Sequence, residues 1–200
     1  MDLVAQLTDF TLELPDGWLI REPDPARRAE SFTHALDAEI GEQPLLAEQR
    51  DELLQTLDAF GEDADERKAV FAATVFIAVQ PGLTATAAVL AFYGRREHPD
   101  DPDAEIHGLV RAFERDTVNG RPPEVAIVDL PAGKAVRLRT LENTTSANDG
   151  GVVTDMVQHW IPDPNRPQMV VISGSTPTLA FSTQFAQAFD GIAQTLRFLD

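Results

Sequence analysis

Cysteine is absent from the 200-residue chain. This absence excludes disulfide bonds, thiolate metal ligands and a cysteine nucleophile. Long apolar runs are also missing, because no stretch approaches the roughly 18 consecutive apolar residues that a membrane helix requires. The first residues carry an acid where a secretory signal would carry lysine or arginine. We therefore expect a cytoplasmic protein with no membrane role.

Positive charge is scarce. The net charge of −17 would repel phosphate backbones, and no basic stripe compensates for it, so nucleic acid is excluded as a partner. Residues 37–66 alone carry eleven acidic residues against the single Arg50. Such a segment can steer a basic protein partner, although solvated helices are often acidic only for solubility. The predicted docking surface includes Asp51, Glu52, Asp58 and Glu62.

In the N-terminal third, the spacing of apolar residues changes from every second residue, as in a strand, to the spacing of a helix. Phe10–Leu14 alternates apolar and polar residues, which predicts a strand with one buried face. Residues 25–60 show helical spacing broken near Gly41 and Pro44, which favours two helices. The acidic stretch 61–66 has almost no apolar residues and is predicted to be a loop.

The middle of the chain is rich in apolar strands. Residues 69–79 and 83–93 are nearly continuous apolar runs separated by Pro81-Gly82, which predicts an antiparallel hairpin. Continuous apolarity indicates that both faces of these strands are covered, at the centre of a sheet. The remaining predicted elements are a helix at 104–116 capped by Asp103, strands at 125–130, 134–142, 152–161 and 168–173, and a helix at 182–198.

This order predicts an α+β fold in which a mostly antiparallel sheet is covered by helices on both faces. No linker marks a boundary, so residues 1–200 are expected to form one domain, with a helical insert at about 25–60.

Three phrases of the sequence resemble a known family. They are the strand Phe10–Leu14 with its closing Pro15-Asp16-Gly17-Trp18, the phrase Leu130–Arg137, and the final Phe189–Phe198. Together they resemble the Mog1/PsbP-like group, and the middle phrase resembles actinobacterial members of unknown function. The resemblance implies an α/β/α sandwich with a central antiparallel sheet, and a superfamily that acts mostly without catalysis. One branch assists photosystem assembly and another binds a small GTPase. No functional residue of the family carries over to this chain.

One group of residues could line a ligand pocket between sheet and helix. His159 stands beside Trp160 on a predicted strand, and Arg137 and Arg139 alternate on another, where they could meet an anion. The alternative is that the histidine is simply hydrogen-bonded and the arginines lie on a wet sheet face. Small-molecule binding is thus the second function that the sequence allows.

No catalytic motif is found. Ser31, His34 and Asp37 share a helical face, but a nucleophilic serine needs a strained turn beside oxyanion donors. The acids of residues 100–107 are typical of a helix cap, and 174–178 lacks the lysine and glycine spacing of a phosphate loop. We expect no catalytic residue, metal or cofactor. The leading expectation is a non-catalytic protein that binds a protein partner through its acidic surface.

Overall fold

The structure is a computed structural model, which describes residues 3–7, 9–118, 120–146 and 149–199. The helices are α1 Pro25–Glu42, α2 Arg50–Glu66, α3 Pro102–Arg115 and α4 Ser182–Gln194, with short 3-10 segments at Pro44–Gln49 and Leu179–Phe181. The strands are β1 Leu3–Gln6, β2 Phe10–Leu14, β3 Trp18–Ile20, β4 Phe71–Gln80, β5 Leu83–Arg95, β6 Glu124–Leu130, β7 Gly133–Ser146, β8 Asp149–Pro162, β9 Gln168–Thr176 and β10 Arg197–Phe198.

The strands form two sheets in which each pair of neighbours is antiparallel. The large sheet has seven strands in the order β3-β4-β5-β9-β8-β7-β6. The small sheet has the order β1-β2-β10, so the last strand of the chain pairs with β2 near its beginning. The fold is α+β, an α/β sandwich around a large antiparallel sheet, as predicted.

One face of the large sheet is covered by α4 and the small sheet, and we call it the α4 face. Strand alternation and register place Arg137, His159, Ile172 and Ala91 side by side on this face. The main hydrophobic core lies here. It includes side chains from the sheet, from β2 and from α4, among them Phe10, Leu12, Val89, Val157, Ile172, Phe189, Ile192 and Leu196.

The opposite face carries the other three helices. Phe76 and Leu19 project to this side and pack in a second core with residues of α1 and α2, namely Phe32, Leu36, Leu53 and Leu57. At the other end of the sheet, Phe113 of α3 packs against Trp160, with ring centroids 5.2 Å apart. Among the described residues, no helix is long and apolar enough to cross a membrane.

Four local predictions need correction. Residues 61–66 are the end of α2 rather than a loop, because Gly61 packs against Arg28 and Asp65 pairs with both Arg21 and Arg28. The N-cap of α3 is Asp101, which accepts from the amide of Ala104 at 2.9 Å, not Asp103.

The third correction concerns the last helix. It ends at Gln194 rather than at residue 198, because Arg197 and Phe198 pair with β2 as strand β10.

The fourth correction concerns the central hairpin. The strands β4 and β5 and their turn are as predicted, but their shared end is not covered on both faces. Ile77, Val79 and Leu83 are 43%, 40% and 46% exposed, because the layers that pack on the sheet stop short of this end.

Candidate functional site

The residues predicted to line a ligand pocket are divided between the two faces of the sheet. His159, Arg137 and Arg139 lie on the α4 face, whereas Trp160 lies on the opposite face against Phe113. The four side chains therefore do not line one common pocket. Alternation along β8 decides this, since neighbouring residues of a strand point to opposite faces.

Two of these residues are bound to a carboxylate of α4. Arg137 donates two hydrogen bonds to Asp190, at 2.7 and 3.1 Å, and His159 Nε2 lies 3.0 Å from the same carboxylate. Burial raises the pKa of Asp190, but the hydrogen bonds from His159 and Arg137 outweigh burial and hold the pKa below its ordinary value. The group joins α4 to the sheet.

His159 is only 1% exposed, and its Nδ1 is buried without a hydrogen-bond partner among the described residues. The contact with Asp190 requires a proton on Nε2, because a carboxylate can only accept a hydrogen bond. A ligand could not reach this imidazole without moving α4.

Arg139 is also neutralised within the chain. Its guanidinium makes two hydrogen bonds to Asp155, at 3.1 and 2.7 Å, and the Asp155 side chain is only 2% exposed. The hydrogen bond to Asp155 raises the pKa of Arg139. This pair forms part of the wall of a cavity of about 380 Å³, together with Arg121, Glu124 and Ser182.

The residues predicted to form an acidic docking surface are all exposed on α2. Asp58 and Glu62 follow Asp51 by seven and eleven residues, which is close to two and three helical turns, so the three lie in one stripe along α2. Glu52 lies about 100° around the helix from Asp51. Asp51 also lies 3.8 Å from the guanidinium of Arg50, and other acids of the segment are paired within the chain. These pairs are Asp37 with Arg50, Asp63 with Arg67, and Asp65 with Arg21 and Arg28.

A larger concave site lies at the uncovered end of the α4 face, and we call it the groove. It has a volume of about 500 Å³. The turn between β2 and β3 meets the end of α1, the end of β4 and the first turns of α4 there. Its lining consists of Pro15, Asp16, Gly17, Trp18, Glu39, Glu42, Gln43, Val75, Ile77, Val79, Ala85, Phe181, Gln184, Phe185 and Ala188.

The walls of the groove are apolar. Val75 and Ile77 alternate along β4 and so project to the same side, and Val79, at a register irregularity of the strand, also lines the groove. Phe185 and Trp18 are almost buried beside them, at 5% and 8% exposure, and Trp18 also packs edge-on against Phe189. Ile77 and Val79 thus extend the buried core into a surface that water reaches.

One carboxylate of the groove is almost buried. Glu39 is 8% exposed and accepts a hydrogen bond from Gln43 Nε2. Gln43 also donates to the carbonyl of Phe76 at 3.1 Å and accepts from the amide of Ala78 at 2.9 Å, so its side chain is tied to the backbone of β4. In the described parts of the chain, Glu39 has no ion pair with a lysine, arginine or histidine. Burying a carboxylate without a counter-charge is costly.

The charge of the groove has one sign. Glu39, Asp16 and Glu42 are its ionisable lining residues, and the lining includes no lysine, arginine or histidine. Gly17 lies in the turn beside Glu39. Its φ of +84° favours glycine, whereas a Cβ at this position would make only an ordinary contact, 3.7 Å from Glu39 Oε1.

Sequence reasoning missed Glu39 and Gln43. Both lie in the segment recognised as acidic and helical, but nothing in the periodicity marks one acid as buried. The available signals were the Pro15-Asp16-Gly17-Trp18 turn and the apolar run of β4, which continues through Val79 to a turn.

Comparisons with known proteins add little to this picture. No family model matches the chain, and no curated protein matches it. A solved structure that is similar is that of LpqN, described as involved in cell envelope biogenesis of Mycobacterium tuberculosis. It aligns over 100% of this chain and 91% of its own, with a TM-score of 0.47 and 9% identity. Membership of the Mog1/PsbP-like family stays a prediction.

Proposed function

We propose that this protein is a non-catalytic binding protein that holds an apolar ligand in the groove. The observation that carries the proposal is the pair Ile77 and Val79, two exposed apolar side chains that continue a buried core into a cavity of about 500 Å³. Ligand sites are concave, mostly apolar and about 300–1,000 Å³ in volume. A cytoplasmic location stays a prediction.

A binding function accounts for the groove without a catalytic nucleophile or base. Nucleophilic catalysis needs a nucleophile held against a base. The almost buried carboxylate of the groove is held instead by the amide of Gln43, which is itself anchored to β4. Such an arrangement fixes a recognition group in place.

The test is binding of a neutral apolar dye, N-phenyl-1-naphthylamine, followed by its fluorescence. We expect saturable binding that is strongly weakened by Ile77→Ser, because this change places a hydroxyl on the apolar wall. Ile127→Ser is the matched control, since Ile127 is an equally exposed isoleucine, at 46%, on β6 away from the groove. Equal binding by the two variants would overturn the proposal.

A second candidate function is docking of a basic protein on the stripe Asp51, Asp58 and Glu62. Its support is their alignment on the exposed side of α2. Calorimetry with a decalysine peptide should show weaker binding when all three become amides, and less so at high salt. A matched triple variant at the exposed Glu97, Asp100 and Glu114 is the control. Equal losses in both variants would show only general attraction to an acidic protein.

A further inference from the structure

We propose that the ligand of the groove is a cationic amphiphile, with an ammonium-type head at Glu39 and an alkyl chain along β4. This inference rests on the proposed function, namely that the groove binds an apolar ligand. It adds the sign of the charge that the ligand carries and the residue that recognises it.

The first argument is that Glu39 has no counter-charge among the described residues. On the α4 face, the carboxylates of Asp155 and Asp190 each bind an arginine of β7. Glu39 is also buried, at 8% exposure, yet the hydrogen bond to its carboxylate comes from the neutral amide of Gln43. A cation from outside the chain would complete the pair, and a hydrogen bond to a charged group is stronger than one between neutral groups.

The second argument is the position of this carboxylate. Gln43 uses its own amide and carbonyl groups on the backbone of β4 and thereby holds Glu39 against the strand that forms the apolar wall. A ligand head at Glu39 therefore places its chain next to Val75, Ile77 and Val79. These three side chains span roughly 13 Å along the strand, enough for an extended alkyl chain.

The third argument is electrostatic selection. Glu42 is exposed at the rim, and none of the described residues that line the groove is a lysine, arginine or histidine. Charges this close act within one Debye length, roughly 8 Å in physiological salt. The groove should attract a cation and repel a fatty acid, although a fatty acid has the same chain.

The experiment compares three probes with the same chain and different heads: octylammonium, octanol and octanoate. Their affinities are measured by calorimetry at pH 7, below the concentrations at which they aggregate. We expect octylammonium to bind about ten-fold or more tighter than octanol, and octanoate to bind weakest.

Glu39→Gln tests the assigned residue, because it keeps the shape of the side chain and removes the charge. The variant should bind octanol as the wild type does and should lose the preference for octylammonium. Glu52→Gln, an exposed acid of α2, is the matched control and should keep the preference. A preference that survives in Glu39→Gln would overturn the assignment.

A second measurement uses the wild type alone, in case the variant folds poorly. The preference for octylammonium should persist at high salt, since a contact at a buried carboxylate is screened much less than one at the exposed rim. A preference that high salt abolishes would contradict the assignment to Glu39.

The outcomes separate the two proposals. If octanol binds and octylammonium has no advantage, the charge inference is wrong while the apolar binding function stands. If none of the three binds, the function of the groove fails, and the inference fails with it.

Discussion

The two ends of the α4 face treat charge in opposite ways. At one end, Arg137 and His159 share the half-buried carboxylate of Asp190, so that its charge is balanced within the chain. At the other end, Glu39 lies almost buried beside an amide, in a groove whose charged residues are all acidic. The comparison shows that charge pairing joins α4 to the sheet at the closed end, whereas the carboxylate of Glu39 at the open end has no ion pair among the described residues.

Packing differs between the two ends in the same way. Over β9, the ring of Phe189 sits so close to Gly174 that a Cβ there would lie 2.2 Å from the ring. Four residues earlier in α4, Phe185 lines the groove, and the strand beneath it exposes Ile77. Helix α4 is therefore seated firmly on β9 and leaves a gap above the end of β4.

The largest predicted loss of stability comes from disrupting the contact between α4 and β9 at the closed end. Gly174→Ala should destabilise the protein by about 3 kcal/mol, because the methyl group collides with the Phe189 ring in a packed core. Urea unfolding measures the loss. The control is Gly191→Ala on the exposed side of α4, where nothing lies within 4 Å and alanine should stabilise the helix by up to ~1 kcal/mol. Equal effects of the two substitutions would contradict the close seating of α4.

The next effect removes charge pairing at the closed end. Asp190→Asn should cost about 1–3 kcal/mol, because Arg137 and the buried His159 both lose a charged acceptor. Asp63→Asn, which removes an exposed pair with Arg67, should cost under ~1 kcal/mol in the same urea experiment. If both changes cost the same, the Asp190 group does not hold α4.

Acid should weaken the same contact. The pKa of Asp190 lies below its ordinary value of 3.8 in the folded chain, so the unfolded state binds more protons in the window between the two values. The stabilisation is present above pH ~4 and is lost as the pH falls through the folded pKa. The difference in urea midpoint between wild type and Asp190→Asn should therefore be smaller at pH 3 than at pH 6. A gap that stays constant would show that the charge of Asp190 contributes nothing.

The smallest predicted loss of stability is at the open end, in the wall of the groove. Ile77→Ala should cost under ~1 kcal/mol, because this side chain is already 43% exposed. Ile172→Ala, on the same face but fully buried, should cost about 2–5 kcal/mol. A large loss of thermal stability in Ile77→Ala would mean that the groove is structural rather than a binding surface.

Much of the fold could be predicted from the sequence. The alternation of Phe10–Leu14, the Pro81-Gly82 turn and the helical spacing that begins at residue 182 are local signals, and the structure confirms the elements they indicate, although the last helix ends at Gln194 and not at residue 198. The end of α2 escaped prediction because residues 61–66 depend on contacts with Arg21 and Arg28, which lie some 40 positions away.

The candidate site was less predictable. His159 and Trp160 are neighbours in the chain, but the pleat of β8 places their side chains on opposite faces. Their adjacency in the sequence therefore does not put them in one pocket. The partner of Arg137 comes from α4, 53 positions further along the chain. Glu39 looks like any other acid of its segment until the fold brings β4 and the β2–β3 turn around it.

The sequence by itself determined the class of fold, the antiparallel hairpin and the acidic character of the surface, because periodicity, turn residues and net charge are properties of the chain. Only the tertiary structure decided which acids are paired, which face each strand residue occupies and where the apolar surface stays open. The physical reason is distance along the chain: burial and charge balance depend on groups that are far apart in sequence and meet only in the folded protein.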